Sequence, residues 1–434
     1  MEKTNLDMNY NQVITFWKEF EVPASLYRNI EIDLEIDFIK TITGPRRAGK
    51  TFLCFQLIKK LIQEGHLKEN ILYINFEDNA LLGANSEDLD GLMNSFFELY
   101  QPNKKQKIYF FFDEIQVVKN WDSWIRKIYD TRRDIQLILT GSSSKLLSKE
   151  ISTQLRGRVI NKEIFPLSFK EIILWKGIDY NLKIVSYSKS KVEIKKIFSL
   201  FVKEGGYPAI IFQDKQKENI LQSYYESMIF KDVIERYRIK DVKKLKTLAN
   251  LLFESVSKEM SYNKLANKLK SMGFKISKNT IIEYLSYFEE AYLFFQNMKY
   301  EYSLATQLGS IKKVYCIDNG LLNAVSFKVS DDFGKLLENL VFIELKRRNE
   351  QVYYYKKDYE CDFLTIKKNK VILAIQVTRK LDEENETREI KGLLGAINEY
   401  KLKEGLILTE NQEEERIING KKIKILPIWK WLLE

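Results

Sequence analysis

Residues 44–51 read Gly-Pro-Arg-Arg-Ala-Gly-Lys-Thr: a glycine, four free positions, then Gly-Lys-Thr. The six residues before them, 38–43, have the composition of a short buried strand, and residues 51–58 that of an apolar helix. A strand–loop–helix unit of this pattern turns its loop amides and its helix N-terminus onto one point, and that point suits phosphate. Gly44 and Gly49 permit the tight turn, and Pro45, Arg46, Arg47 and Ala48 fill the loop between them. Lys50 is placed to reach β- and γ-phosphates, and Thr51 to offer its hydroxyl to Mg2+. The bland alternative is a basic turn that contains two glycines.

A second segment weighs against that alternative. Residues 108–112 are uninterruptedly apolar and end in Asp113 and Glu114, the pattern of a central parallel strand buried on both faces. Asp113 at the carboxyl end would hold Mg2+ through water, and Glu114 would polarise the attacking water as general base. Two acids after a strand can also form a turn or open a helix. A third apolar run, 135–139, leads to Thr140, Gly141, Ser142 and Ser143. Its polar tip puts Thr140 between the acid-bearing strand and a γ-phosphate. Together these segments describe an α/β, P-loop NTPase core that binds ATP: a parallel sheet with flanking helices.

The chain resembles the archaeal and bacterial AAA+-type ATPases that carry a C-terminal domain of the DUF4143 kind. The resemblance runs over nearly the whole sequence. It is carried by Tyr73 to Asp78, Phe112 to Gln116, Trp121 with Trp124, Leu139 to Ser143, Leu155 to Arg158, Phe165 to Phe169 with Glu171, Gly205 to Pro208, Tyr315 to Gly320, and Glu338, Asn339 and Glu344. It implies an ATPase core, a middle helical segment with a winged-helix fold and a degenerate nuclease-like end. It also implies that Thr140 is a sensor, and that Arg158, or else Arg156, contacts a γ-phosphate from a neighbouring subunit or domain. A plain basic loop is the other reading of those two arginines.

Length and composition bound the rest. A chain of 434 residues has room for two to four domains, and 45% hydrophobic residues with only six prolines indicate a compact, structured chain. We expect an ATPase domain over residues 1–175, a helical winged-helix domain over 176–328 and a nuclease-like domain over 329–434. Phe16, Trp17 and Phe20 stand at helical spacing in the lead-in and are expected to pack in the core. Cys54, Cys316 and Cys361 lie far apart among apolar neighbours, which fits buried thiols in a reducing cytoplasm. With His66 the single histidine, a histidine-rich metal centre is excluded. No apolar stretch is long enough to cross a membrane and the N-terminus is unlike a signal peptide, so a cytoplasmic location is expected. A net charge of +10 permits DNA as a partner, but 60 acidic residues mix with the 70 basic ones.

In the middle segment, Ser261 would cap a helix over 262–272 and Gly273 would turn the chain. Ser277 or Asn279 would cap a second helix, over 280–291, in recognition position. Lys275, Lys278 and Asn279 stand where DNA contacts would cluster, with Lys264, Lys268 and Lys270 on the preceding helix. Packing or protein contact is the other use of such a fold. After residue 331 an α/β pattern restarts and resembles the PD-(D/E)xK nuclease core, in which a helix Glu, a strand Asp and a Glu-x-Lys hold Mg2+ and activate water. Glu338 and Asp362 match, whereas Gln376 replaces a carboxylate and Thr378 replaces the lysine. An amide is a poor Mg2+ ligand and threonine brings no charge, so a site of two carboxylates without an opposing cation is expected, with no efficient cleavage.

Three functions remain open: a Mg2+-dependent ATPase acting as a switch or motor on DNA or another macromolecule, possible as a homo-oligomer; an ATP-regulated nuclease; and a slowly hydrolysing signalling or assembly scaffold. No Asn-Lys-x-Asp guanine-reading motif stands in the expected place, which favours ATP over GTP.

Overall fold

The computed structural model describes residues 9–143, 157–213, 215–326 and 332–434. The chain forms two compact units, 1–164 and 165–434. The expected limits at 175 and 328 both fall inside the second unit.

The first unit is built on five strands: β1 (Ile39–Thr43), β2 (Ile71–Asn75), β3 (Ile108–Asp113), β4 (Ile135–Gly141) and β5 (Val159–Glu163). They lie in the order β2-β3-β4-β1-β5, and every neighbouring pair is parallel. Each residue of β1, β3 and β4 is buried, which is why these runs carry no polar alternation. β4 is inserted between β1 and β3, so the loops leaving the carboxyl ends of these three strands meet over the middle of the sheet. In an open α/β sheet that crevice is where ligands bind.

The lead-in helix Tyr10–Glu19 buries Ile14 and Trp17, and the Trp17 indole donates to the carbonyl of Ile71 at 2.6 Å. Phe16 departs from expectation: it is 66% exposed, because the helix turns Ile14 and Trp17 inward.

The second unit begins with helices around one continuous apolar core that runs from Phe165 to Leu433. The middle and C-terminal segments share this core. The helix Val242–Phe253 is followed by β6 (Glu259–Met260), helices Tyr262–Ser271 and Lys278–Glu290, β7 (Phe294–Met298) and β8 (Lys312–Cys316). These three strands form an antiparallel sheet in the order β6-β8-β7. Ser277 caps the helix Lys278–Glu290 by accepting from the Thr280 amide. Ser261 stands at the corresponding place before Tyr262 but makes no side-chain cap bond.

The Gly205-Gly206 pair has a packing reason. The Gly206 amide donates to Asp318 Oδ2 at 2.7 Å, and a Cβ on Gly205, at φ +76°, would lie 2.0 Å from the same carboxylate. Asp318 also caps the helix Asn319–Val325 by accepting from the Leu321 amide.

The C-terminal sheet comprises β9 (Gln351–Lys356), β10 (Glu360–Lys367), β11 (Lys370–Val377), β12 (Glu404–Thr409), β13 (Glu414–Ile418) and β14 (Lys421–Pro427). Their order is β13-β14-β12-β11-β10-β9, with parallel pairing only at β11-β12 and β12-β14. The helix Phe333–Arg347 precedes it, and the helix Glu386–Glu399 is the crossover between β11 and β12.

Candidate nucleotide site and C-terminal carboxylate cluster

The loop that joins β1 to the helix Lys50–Gln63 folds as its glycines require. A Cβ on Gly44 would lie 2.3 Å from the Ile164 carbonyl oxygen, so no other residue fits. Gly49 caps the helix at φ +97°, in the left-handed region where glycine costs least. The Ala48 amide bonds back to the Pro45 carbonyl at 3.3 Å, closing the turn, and Arg47 carries a positive φ of 64°. Arg46 reaches out of the loop to Glu77 at 2.7 Å.

Lys50 is buried. Its Nζ lies 3.1 Å from Gly44 O, 3.2 Å from Pro45 O and 3.1 Å from Glu114 Oε1. Beside it, the Thr51 hydroxyl donates to Asp113 Oδ2 at 2.6 Å. The same oxygen accepts from the Tyr73 hydroxyl at 2.9 Å, and the Thr140 hydroxyl donates to Asp113 Oδ1. Thr140 in turn accepts the Glu114 amide at 3.0 Å. Register explains the convergence: Asn75 is level with Asp113 on the neighbouring strand, and Ile42 is level with Thr140.

The two acids are tuned in opposite directions. Burial, and then the neighbouring Glu114 carboxylate, raise the Asp113 carboxyl above its ordinary range, against hydrogen bonds from Thr140 and Thr51. Burial also pushes Glu114 up, but the Lys50 and Arg46 charges outweigh it and leave this carboxyl lowered. A hydroxyl and a carboxylate side by side are the hard oxygen donors that Mg2+ takes, and Thr51 and Asp113 fit that ion.

Arg158 does not join this cluster. It pairs with Asp130 at 2.9 Å, and its carbonyl accepts from the amide of Ile39, the first residue of β1. The phosphate-type loop leaves the other end of β1, some five residues and roughly 16 Å of strand away. Arg156 lies outside the described residues. Tyr73 was not expected in the site, although it lies in one of the segments that carry the family resemblance. Arg28 was also missed. It precedes β1, is buried, and donates to the Ala48 carbonyl at 2.8 Å.

In the second unit, Glu338, Asp362, Gln376 and Thr378 line one cleft of about 800 Å³. The Gln376 amide accepts from the Asp362 amide at 3.2 Å and donates to Glu389 at 2.5 Å. Thr378 donates to the Lys380 carbonyl at 3.2 Å. The expected pair of carboxylates without a cation needs correcting. Glu360 also lines the cleft, and Lys313 from β8 places its ammonium among the acids. Lys275, Lys278 and Asn279 are all exposed, as are Lys264, Lys268 and Lys270. Among the described residues, no group of three or more His, Cys, Asp or Glu side chains is arranged to hold a metal ion, and no helix is long and apolar enough to cross a membrane.

The sheet order, the glycine loop and the lysine, threonine and acid pair around it define a P-loop NTPase. Residues 37–173 match the family model described as an AAA domain, residues 196–332 a domain of unknown function, DUF8612, and residues 333–431 another, DUF4143. The chain is 42% identical to the uncharacterized protein MJ1544 of Methanocaldococcus jannaschii, over 94% of this chain and 90% of that one. It is 34% identical to an uncharacterized protein of Haemophilus influenzae, over 92% and 95%. Among solved structures it is similar to the Walker-type ATPase PABY2304 of Pyrococcus abyssi, at 13% identity and a TM-score of 0.43, covering 66% of this chain and 90% of that one. The chain belongs to the family of AAA-domain, P-loop ATPases that carry a DUF4143 domain at the C-terminus.

Proposed function

We propose that this protein is a Mg2+-dependent ATPase that works as a nucleotide-driven switch or motor module on DNA or another macromolecule. The observation that carries the reading is the convergence of Lys50, Thr51, Asp113, Glu114 and Thr140 at the carboxyl ends of β1, β3 and β4. Lys50 binds the β- and γ-phosphates once it exchanges Glu114 for them, together with the loop amides of residues 46–49. Thr51 and Asp113 would hold Mg2+, which when bound offsets charge on the phosphates. Glu114, freed from Lys50, orients and deprotonates the attacking water. Thr140 hydrogen-bonds both acids' segments and so senses which partner Glu114 has.

Arg158 is proposed to act in trans, on a neighbouring copy, since it lies at the far end of β1 from its own loop. The middle segment has the element order of a winged helix, and Lys275, Lys278 and Asn279 form its exposed basic rim. That rim is proposed to contact DNA phosphates. Turnover of ATP with and without DNA, over a range of salt, tests the reading. Turnover that is absent with Mg2+, or that DNA never changes, would sink the enzyme and the DNA parts respectively.

A further inference from the structure

The nuclease-like arrangement of Glu338, Asp362 and β11 implies a divalent cation in the C-terminal cleft, and the residues present do not fit one. Lys313 Nζ lies 3.0 Å from Glu338 Oε1, 2.6 Å from Glu360 Oε1 and 3.1 Å from Asp362 Oδ1. An ammonium has three N–H donors, and here each has a carboxylate to meet. A Mg2+ ion needs oxygens at about 2.1 Å on most sides and cannot share these with a second positive charge.

We infer that Lys313 takes the place of that divalent cation: its ammonium is the resident counter-charge of Glu338, Glu360 and Asp362, and the cleft is a cation site closed by the chain itself.

The surroundings agree. Lys313 and Tyr315 are two apart on β8 and therefore share a face. The Tyr315 hydroxyl donates to Glu338 Oε1 at 2.7 Å, so the strand delivers both groups to one acid. Its register is set by antiparallel pairing on both sides, Lys313 opposite Glu259 and opposite Asn297. The second oxygen of Asp362 accepts the Val377 amide at 2.9 Å. Gln376 is used at both ends of its amide, which leaves its oxygen turned to a backbone N–H. Burial by itself would lower the lysine's pKa, but the carboxylates around it raise it well above the usual value, so the ammonium does not leave by losing its proton.

Mn2+ binding to the nucleotide-free full-length chain, followed by electron paramagnetic resonance and by thermal shift, tests this without any ATP turnover. The outcome is therefore independent of the ATPase reading. We expect no Mn2+ binding in wild type that Asp362→Asn removes. Lys313→Ala should gain one Mn2+ that Lys313→Ala/Asp362→Asn lacks, and Mn2+ should raise its melting temperature by several degrees while leaving wild type unmoved. Folding of Lys313→Ala only in the presence of Mn2+ would support the same conclusion. Mn2+ bound by wild type and lost in Asp362→Asn overturns the inference, and this comparison decides even where Lys313→Ala does not fold. A folded Lys313→Ala that gains no Mn2+ overturns it equally.

Discussion

Lys50 and Glu114, 64 residues apart in the chain, form a buried ion pair at 3.1 Å in which the cation of the phosphate loop is held by the acid that follows β3. The group proposed to bind phosphate and the group proposed to activate water thus neutralise each other. Under the proposed function, nucleotide would have to compete with Glu114 for Lys50, and winning that competition would release the base.

Glu114→Gln should therefore bind ATP at least as tightly as wild type, because the competing charge is gone, while hydrolysis slows by roughly 10²-fold, the scale for losing a positioned base. Lys50→Ala should lose ATP binding and also stability, by ~3 kcal/mol, because Glu114 is left buried without its counter-ion. Adding Glu114→Gln to Lys50→Ala should recover most of that stability and none of the binding. Calorimetric ATP titration and denaturant unfolding of the three variants check this. Equal stability of Lys50→Ala and wild type would refute the pair's role.

Arg158→Ala should still bind ATP, since the arginine lies at the far end of β1 from the loop. If the residue acts in trans, hydrolysis falls about 10³-fold or more and wild-type activity per subunit rises with protein concentration. Losing its half-exposed pair with Asp130 should cost no more than about 1 kcal/mol. A flat rate per subunit in a demonstrated monomer, with Arg158→Ala fully active, leaves Arg158 a structural residue.

Asp318 provides a test by pH. Burial pushes its carboxyl from 3.8 up to about 6, against hydrogen bonds from the Gly206, Leu321 and Gly320 amides. A carboxyl raised in the folded state holds its proton there longer than in the unfolded chain. The stability it contributes is present below the unfolded value and is lost as pH rises through the folded one. Asp318→Asn does not titrate. The stability of wild type minus that of Asp318→Asn should thus fall by about 3 kcal/mol between about pH 3.5 and pH 7. A difference that stays flat across this window would show that Asp318 titrates alike in the folded and unfolded chain, and a difference that rises would show it held ionised by its amide donors.

What could be read beforehand follows from how local each requirement is. The phosphate loop was legible because Gly44 and Gly49 answer to the backbone, one to the Ile164 carbonyl and one to a left-handed φ. β3 was legible because burial on both faces leaves an unbroken apolar run. Lys313 was not. Lys312 and Lys313 are adjacent and look like a solvated pair, and only the register of β8 sends Lys313 into the acids. The bond from Tyr73 to Asp113 was equally hidden, since it runs between two strands. The position of Arg158 depends on β5 pairing with β1, which no pattern in the loop around it announces.

The exposed rim of the middle segment carries the last prediction. The helix Lys278–Glu290 buries Ile281, Tyr284, Leu285 and Phe288, which leaves Lys278 and Asn279 at its first turn, after Lys275, facing solvent. Lysines that touch phosphate release counterions, so each contact adds about one to the slope of log affinity against log salt. Lys275→Ala/Lys278→Ala should lower that slope by about two, weaken binding evenly across DNA sequences and leave folding stability within about 0.5 kcal/mol. ATP turnover without DNA should not change, because neither lysine belongs to the nucleotide site. Fluorescence anisotropy over a salt series reads the slope directly. An unchanged slope would move the DNA contact off this helix and leave its rim to a protein partner.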